Sequence, residues 1–455
     1  MTAFVPHPYQ KAVIRKLVNA KRFGLFLDMG TGKTACALFA AKWLMMDAFA
    51  VGRALIVAPK KVAKMTWRQE AAKWDNLRGL SMALCAGTER KRLEALASKA
   101  DVTVIGRDNL AWLWSLYEDG KRRWPYDLLI LDESSSFKNK KSQRWRAAMK
   151  MARASERCWI LTGTPSPNGL MDLWAQIYLL DFGQSLGKSL TEYRARYFHP
   201  GAHKGFQVYE WLPNKGAEER IYKAIGPMCL SLKIEDAGIE MPPLIEEDVP
   251  VALPPKAEEA IKRMEADYLI EVNEEDITAA SAGVLANKLL QLASGAIYKG
   301  PSGEWAEIHQ AKLDALEAIV EGHEDQPVAV FHAYRFDVQR VMERLKDYKP
   351  RQLLTEKDKE DWNAGRIRVL LVNPFSDAYG LNLQEGGHIA VWLGPIWNLE
   401  LYQQANRRLY RQGQRQATIV YRLLAKGTID ETCAQALKDK TAVQDGLLEY
   451  VRLRK

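Results

Sequence analysis

The sequence predicts an α/β protein of two doubly wound, parallel-sheet lobes with a mainly helical insert between them. Three observations predict it. In the first third of the 455 residues, short apolar runs that end at polar or glycine-rich residues alternate with helical patterns. The same alternation returns from about Trp305. Between about Phe182 and Gly300 strand-like runs are few and helical patterns dominate. Strands alternating with helices imply a parallel sheet covered on both faces. The boundaries expected are residues 1–181 for lobe one, 182–304 for the helical insert and linker, and 305–455 for lobe two.

In chain order, Phe23 to Leu27, Ala54 to Ala58, Val102 to Ile105, Leu128 to Leu131 and Trp159 to Thr162 read as buried strands of the first lobe. Thr34 to Met46 and Val62 to Trp74 read as helices between them. In the middle, Lys256 to Asn273 reads as a helix, and the stretch from Met241-Pro242-Pro243 to Pro254-Pro255 as a linker. Val328 to His332, Val369 to Val372, His388 to Leu393 and Thr418 to Leu424 are the candidate strands of the second lobe.

Composition sets the class. With 47% hydrophobic and 27% charged residues the chain is neither disordered nor fibrous. A net charge of +9 favours a polyanionic partner, though only weakly by itself. Five scattered cysteines make no zinc or disulfide pattern, which suits a reducing interior. Met1 to Gln10 lacks the basic-then-apolar pattern of a signal peptide. The most apolar stretch, Ala35 to Val51, is interrupted by Lys42 and Asp47 and reads as a buried helix. An intracellular protein without a membrane partner is expected.

Chemistry enters at Phe26-Leu27-Asp28-Met29-Gly30-Thr31-Gly32-Lys33-Thr34, between a predicted strand and a predicted helix. Gly30 and Gly32 let backbone N–H groups turn inward around phosphates, Lys33 supplies charge to the β and γ phosphates, and the Thr34 hydroxyl suits Mg²⁺. The strict pattern has glycine where this chain has Leu27. Alone, the loop says only that a nucleotide binds.

Leu128-Leu129-Ile130-Leu131 ends in Asp132-Glu133-Ser134. A carboxylate at a strand's C-terminal edge can hold Mg²⁺, and its neighbour can orient and deprotonate water. Asp132 is assigned to the metal and Glu133 to the water. Without the phosphate loop, a helix N-cap would explain the pair better. Trp159-Ile160-Leu161 ends in Thr162-Gly163-Thr164-Pro165, whose hydroxyls could sense the γ-phosphate; on physics alone a tight turn explains them equally well.

These strings, in the order Gln10, DMGTGKT, ALIVAPKKV, LDES, LTGTP, resemble the motifs of helicase superfamily two, and its Swi/Snf-type branch in particular. Gly380-Leu381-Asn382-Leu383-Gln384 is similar to that branch's fifth motif. Trp397-Asn398 with Gln404-Ala405-Asn406-Arg407-Arg408-Leu409-Tyr410-Arg411-Gln412-Gly413-Gln414 is similar to its sixth. Leu230 to Lys233, Met241-Pro242-Pro243, Asn287 to Gln291 and Thr428 to Glu431 extend the resemblance from Tyr9 to about Lys440. It implies two RecA-like lobes sharing one ATP site, in a compact bacterial or viral motor.

It also implies residue roles. Tyr9 and Gln10 would read adenine. Met29, Gly30, Thr31, Gly32, Lys33 and Thr34 would hold the phosphates, with Gly380 and Asn382 contributing. Asp132 and Thr34 would serve Mg²⁺, and Glu133 water. Arg408 and Arg411, three apart and so able to share a helix face, would act as arginine fingers. Thr162, Thr164 and Gln404 would couple the phosphate state to movement. Three positions depart from the branch: Ser134-Ser135 follow the acidic pair in place of Ala-His, Asp377-Ala378 replace a glycine pair, and Arg407 stands where Asp is usual.

Nucleic-acid contacts are less defined. Lys60, Lys61, Arg107, Lys138 and Lys140 are candidates, with a solvated surface an equal alternative. Trp112, Trp114 and Trp124 could stack on bases, with core packing the better reading. The function expected is an ATP- and Mg²⁺-dependent motor, a DNA-stimulated ATPase translocating on double-stranded DNA, with DNA preferred to RNA and a monomer preferred. The alternatives are a strand-separating helicase on forks or branched substrates, and a nucleic-acid clamp with weak ATPase.

Overall fold

The computed structural model describes residues 3–28, 30–166, 169–201, 203–204, 207–208, 211–232, 236, 238, 240–271, 279–300, 303–377, 382–435 and 437. It divides into two compact units, Met1–Ile239 and Glu240–Asp439. Each is built on its own parallel sheet.

In the first unit β1 (Arg22–Leu27), β2 (Ala54–Ala58), β3 (Met82–Cys85), β4 (Val102–Gly106), β5 (Leu128–Asp132) and β6 (Arg157–Thr162) precede four short strands. Those four are β7 (Phe198–Pro200), β8 (His203–Lys204), β9 (Gln207–Val208) and β10 (Trp211–Pro213). They form two antiparallel pairs, β7 with β10 and β8 with β9. The last strand, β11 (Cys229–Leu232), returns to the main sheet, whose order is β11-β1-β6-β5-β2-β4-β3. Every pairing in that sheet is parallel. Helices cover both faces, which is why β2, and β5 up to its terminal Asp132, are apolar and buried rather than alternating.

All five strands expected in the first lobe are present. β3 and β11 are additions: both are only four residues long, too short to stand out as a pattern. The helix expected over Val62 to Trp74 is two helices, Lys60–Lys64 and Thr66–Lys73. The first helix after the phosphate loop, Lys33–Lys42, continues as a π-helical turn, Trp43–Asp47, where Ala48 N–H donates to the Trp43 carbonyl at 2.9 Å.

In the second unit β12 (Leu244–Val251), β13 (Ala296–Tyr298), β14 (Trp305–Glu307), β15 (Val328–Phe331), β16 (Arg351–Gln352), β17 (Val369–Val372), β18 (Ile389–Trp392) and β19 (Thr418–Ala425) follow in turn. The six-stranded sheet is ordered β12-β19-β18-β15-β17-β16, and β13 pairs with β14 separately. The four strands expected here are present. The expected linker is different: its Leu244–Val251 portion is a strand that pairs parallel with β19 from Leu244↔Thr418 to Val251↔Ala425. It lies at the sheet edge and is mostly exposed, so it carries no apolar pattern, and an edge also tolerates Pro250. The stretch 182–304 is accordingly shared. Its first part completes the first sheet through β11, and its second part opens the second sheet through β12.

The second unit is pinned by a buried polar network. Lys312 Nζ meets Asp430 Oδ2 at 2.5 Å with both side chains 1% exposed. The same Oδ2 accepts from Ala425 N–H at 2.9 Å. Removing one partner of such a pair costs roughly 3–5 kcal/mol, because the other charge is left buried. Beside it, Arg340 Nη1 donates to the Ser294 carbonyl, and Nη2 to the His309 carbonyl. Gly295, at φ +102°, passes so close that an added Cβ would lie 2.3 Å from that His309 carbonyl oxygen.

His309 is buried in this network, and burial, reinforced by Arg340 and Lys312, pushes its pKa down from 6.5 to about 4. The unfolded chain therefore takes up the proton first, and the stability His309 contributes is lost as pH falls from about 6.5 towards 4. Asp337, raised by burial to about 6, works in the opposite sense, favouring the fold at lower pH. A His309→Gln variant is expected to lose less stability than the parent between those two pH values. Urea midpoints measured across the range check this, and parallel curves for the two proteins refute it.

Candidate active site

Sheet order does the first assembly. β1, β6 and β5 are neighbours and run the same way, so the phosphate loop, the Thr162–Pro165 loop and the acidic pair leave the sheet at one edge. The carboxyl end of adjacent parallel strands is where such sheets bind ligands.

The phosphate loop has the backbone its glycines were expected to allow, with Gly30 at φ +86° and Gly32 at φ +81°. Gly32 caps the helix Lys33–Lys42. Its backbone N–H groups and the helix dipole favour an anion there. Lys33 Nζ donates to the carbonyls of Leu27 at 2.6 Å and Asp28 at 3.3 Å, so the ammonium is held against the loop. Thr31 is the loop's anchor. Its hydroxyl donates to the Asp28 carbonyl at 2.7 Å, and its own carbonyl accepts from Tyr9 Oη at 2.9 Å and Gln10 Nε2 at 3.1 Å. Gln10 Nε2 lies 2.6 Å from where a Cβ on Gly32 would sit, so that glycine is needed for room as well as for φ. Tyr9 and Gln10 thus brace the loop from the helix Pro8–Asn19. Met29 lies outside the described residues.

The acidic pair stands at the end of its strand, where the sequence put it. Asp132 ends β5, and Glu133 follows in the left-handed region at φ +51°, which costs a non-glycine residue energy unless its surroundings hold it. Asp132 Oδ1 accepts from the Glu133 N–H at 3.0 Å and Oδ2 from Trp67 Nε1 at 2.9 Å. Burial, then the Glu133 charge, pushes the Asp132 pKa up to about 7; the Trp67 hydrogen bond and the Lys33 charge pull against that rise. Glu133 Oε2 is buried with no hydrogen-bond partner among the described residues. The Asp132 carboxylate and the Thr34 hydroxyl at the start of the helix Lys33–Lys42 are hard oxygens of the kind Mg²⁺ takes. A desolvated carboxylate that repels its neighbour, beside an orphaned carboxylate oxygen, fits a divalent cation and its water.

On the third loop, Thr164 N–H donates to Thr162 Oγ1 at 3.1 Å. Both threonines are buried, and the Thr164 hydroxyl has no partner among the described residues.

Comparison with known proteins now decides the family. Residues 9–293 match the SNF2-related domain. This chain belongs to the SNF2-related family. It is 37% identical over 469 residues to protein p41 of Acyrthosiphon pisum secondary endosymbiont phage 1, covering 99% of this chain and 100% of p41. It is 25% identical over 471 residues to an ATP-dependent helicase of Mycoplasma genitalium, covering 96% of this chain but 42% of that protein. The Hef helicase domain of Pyrococcus furiosus has the same fold, with a TM-score of 0.55 and 16% identity over 95% of this chain and 98% of that one. The two units are therefore RecA-like lobes, and the chain is a helicase-type ATPase of the Swi/Snf branch in a compact form. Among the described residues no helix is long and apolar enough to cross a membrane.

The second lobe of this SNF2-related protein corrects one expectation. The helix Leu399–Asn406 stops before the arginines, so Arg408 and Arg411 stand on the turns that follow and share no helix face. Gly413 at φ +98° turns the chain, and Gln414 Nε2 gathers the carbonyls of Gln384, Gly387 and Leu409. Arg408 is buried, and Arg411 Nη1 donates to Asn382 Oδ1. Gln404 is buried, with Nε2 donating to Glu400 Oε1 at 3.1 Å. Gly380 lies outside the described residues.

The candidate nucleic-acid residues are scattered in their engagement. Lys60 is exposed at the start of its helix, Arg107 is half-buried, and the Lys61 side chain lies outside what is described. Lys138 pairs with Asp172 at 3.3 Å, and Lys140 sits 5.2 Å from the Trp174 ring centroid. Trp112, Trp114 and Trp124 pack against the first lobe's core, as their better reading had it.

Trp67 was not singled out in the sequence. It lies inside a predicted helix, and nothing in its neighbourhood announces a bond to a carboxylate 65 residues away. Partners that orient a metal-binding carboxylate typically matter about 10–100-fold for metal affinity or activity. Trp67→Phe is expected to raise the Mg²⁺ concentration for half-maximal ATP hydrolysis by about tenfold while sparing metal-free nucleotide binding. A Mg²⁺ titration of the ATPase beside a fluorescent-nucleotide binding curve measures both; an unchanged Mg²⁺ requirement removes Trp67 from the site.

Proposed function

We propose that this protein is an ATP-driven motor that translocates on double-stranded DNA, its ATPase stimulated by the duplex. The observation that carries the reading is the meeting of three loops, phosphate loop, acidic pair and threonine loop, at the ends of β1, β5 and β6. The net charge of +9 and the Swi/Snf-type string from Gln404 to Gln414 support DNA as the track.

The roles follow from the chemistry. Gly30, Thr31, Gly32 and Lys33 hold the phosphates, with Met29, which precedes them in sequence, and Gly380 from the fifth-motif string contributing. Tyr9 and Gln10 set the adenine end through their hold on Thr31. Thr34 and Asp132 would hold Mg²⁺, which supplies positive charge to the phosphates when bound. Glu133 orients the attacking water and takes its proton. Arg408 and Arg411 answer the charge that develops on the transferred phosphoryl group, with Asn382 fixing the Arg411 guanidinium; such arginines contribute about 10³–10⁵ in rate. Thr162, Thr164 and Gln404 relay the phosphate state. Lys60, Lys61 and Arg107 contact backbone phosphates, and Lys138 and Lys140 do so only by leaving their present partners. Phosphate contacts of this kind carry no base readout, which suits stepping.

A strand-separating helicase is the second reading, and one feature favours it. The wedge it needs would come from the two short antiparallel pairs of the first lobe, β7 with β10 and β8 with β9.

Glu133→Gln is expected to bind ATP normally and hydrolyse it about 10²–10⁴ times more slowly, the span a general base contributes. Lys33→Ala is expected to lose ATP binding. Steady-state hydrolysis with linear duplex, single strands, forks and RNA is the deciding measurement. Strong stimulation by RNA and none by duplex defeats the translocase reading, and release of a strand from forks in step with hydrolysis selects the helicase.

A further inference from the structure

One buried amide joins two of the three loops. Gln176 lies in the helix Leu173–Asp181 and is fully buried. Its Oε1 accepts from Ser134 Oγ at 2.8 Å, in the turn after the acidic pair. Its Nε2 donates to the Pro165 carbonyl at 2.6 Å, at the end of the threonine loop, and to the Asp172 carbonyl at 2.9 Å. The two carbonyls fix the orientation of the amide: they can only accept, so they must meet nitrogen, which leaves the amide oxygen to the serine hydroxyl. Ser134 is also fully buried, so the connection is closed to water. A second tie runs alongside it, from Lys138 Nζ to Asp172 Oδ2 at 3.3 Å.

We propose that Gln176 is a positioning residue that transmits movement of the Thr162–Pro165 loop to the water-orienting Glu133. The inference rests on the motor reading above. Glu133 occupies a left-handed conformation and is the residue next to Ser134. Such a conformation persists only while its surroundings hold it: the Asp132 carboxylate, which accepts from the Glu133 N–H and is untouched by changes at Gln176, keeps it in place, and Ser134, held by Gln176, adjusts it. A shift of Pro165 therefore pulls the amide, the amide pulls Ser134, and the Glu133 carboxylate is re-aimed. A buried, fully satisfied link of this kind moves as a unit, because breaking one bond strands a polar group without water. The two departures, Ser134 in the acidic box and a lone amide in the otherwise apolar run from Leu173 to Leu180, are the two halves of one device.

The test compares ATP hydrolysis with and without linear duplex DNA in the full chain, for the parent, Q176L, Q176E, S134A and S134A/Q176L. Q176E keeps the acceptor for Ser134 but loses both donors. Expected are basal kcat and KM for ATP within about twofold of the parent, and a DNA-stimulated kcat lower by about tenfold in Q176L and Q176E, the scale of one stranded buried group. S134A is expected to lose stimulation too, and the double variant no more than Q176L, since both act through one link. Thermal midpoints are read for each. Retained stimulation in Q176L or Q176E overturns the proposal. So does a parallel fall of basal and stimulated rates with a lowered midpoint, which marks a packing role. A parent that is not stimulated at all refutes the motor reading instead, and is visible without any variant.

Discussion

Main-chain hydrogen bonds join β1 to β6 and β6 to β5, all three running in one direction. Three loops spread over more than a hundred residues of sequence therefore leave the sheet side by side. The ladder is indifferent to side chains, which is why it can fix such an arrangement firmly: each strand is buried and apolar, and its polar backbone has nowhere else to bond. The chemistry is attached to that frame at its carboxyl edge, where the backbone N–H groups of the phosphate loop and the carboxylates of the acidic pair both become available.

Each loop is then fastened by a small number of buried polar contacts. Thr31 is gripped by Tyr9 and Gln10, Asp132 by Trp67, and Ser134 by Gln176. These bonds do more than add stability, since a net hydrogen bond is worth only about 1 kcal/mol. They set the direction of groups that would otherwise have several rotamers. They also divide the site into parts that are held and parts that are left to respond. The Thr164 hydroxyl and Glu133 Oε2 are buried without partners among the described residues, on the two loops to which the proposed function gives a phosphate and a water.

The second lobe follows a different scheme. Its charged core, around Lys312, Asp430, Asp337 and Arg340, joins the end of one helix to the end of β19. Arg408 and Arg411 stand on turns shaped by Gly413 and by the three carbonyls that Gln414 collects.

The sequence by itself determined a good deal. Nine buried strands were legible because central parallel strands are continuous apolar runs. The phosphate loop and the acidic pair stood out because their chemistry needs those residue types at those spacings, and Arg408 and Arg411 through the resemblance of the string around them. What it left open has a common physical cause. β12 was read as a linker because an exposed edge strand carries no apolar pattern and contains Pro250; only pairing with β19 makes it a strand. The helix end at Asn406 was hidden because the contacts around it, Trp392 Nε1 to Asn406 Oδ1 and Leu383 N–H to the Arg408 carbonyl, join residues distant in sequence. Trp67 and Gln176 were invisible as site residues because their meaning lies in hydrogen bonds spanning 65 and 42 residues. Periodicity and motif spacing record what neighbouring residues do together. Which distant side chain satisfies a buried carboxylate or hydroxyl is decided only when the sheet has closed and water has been excluded.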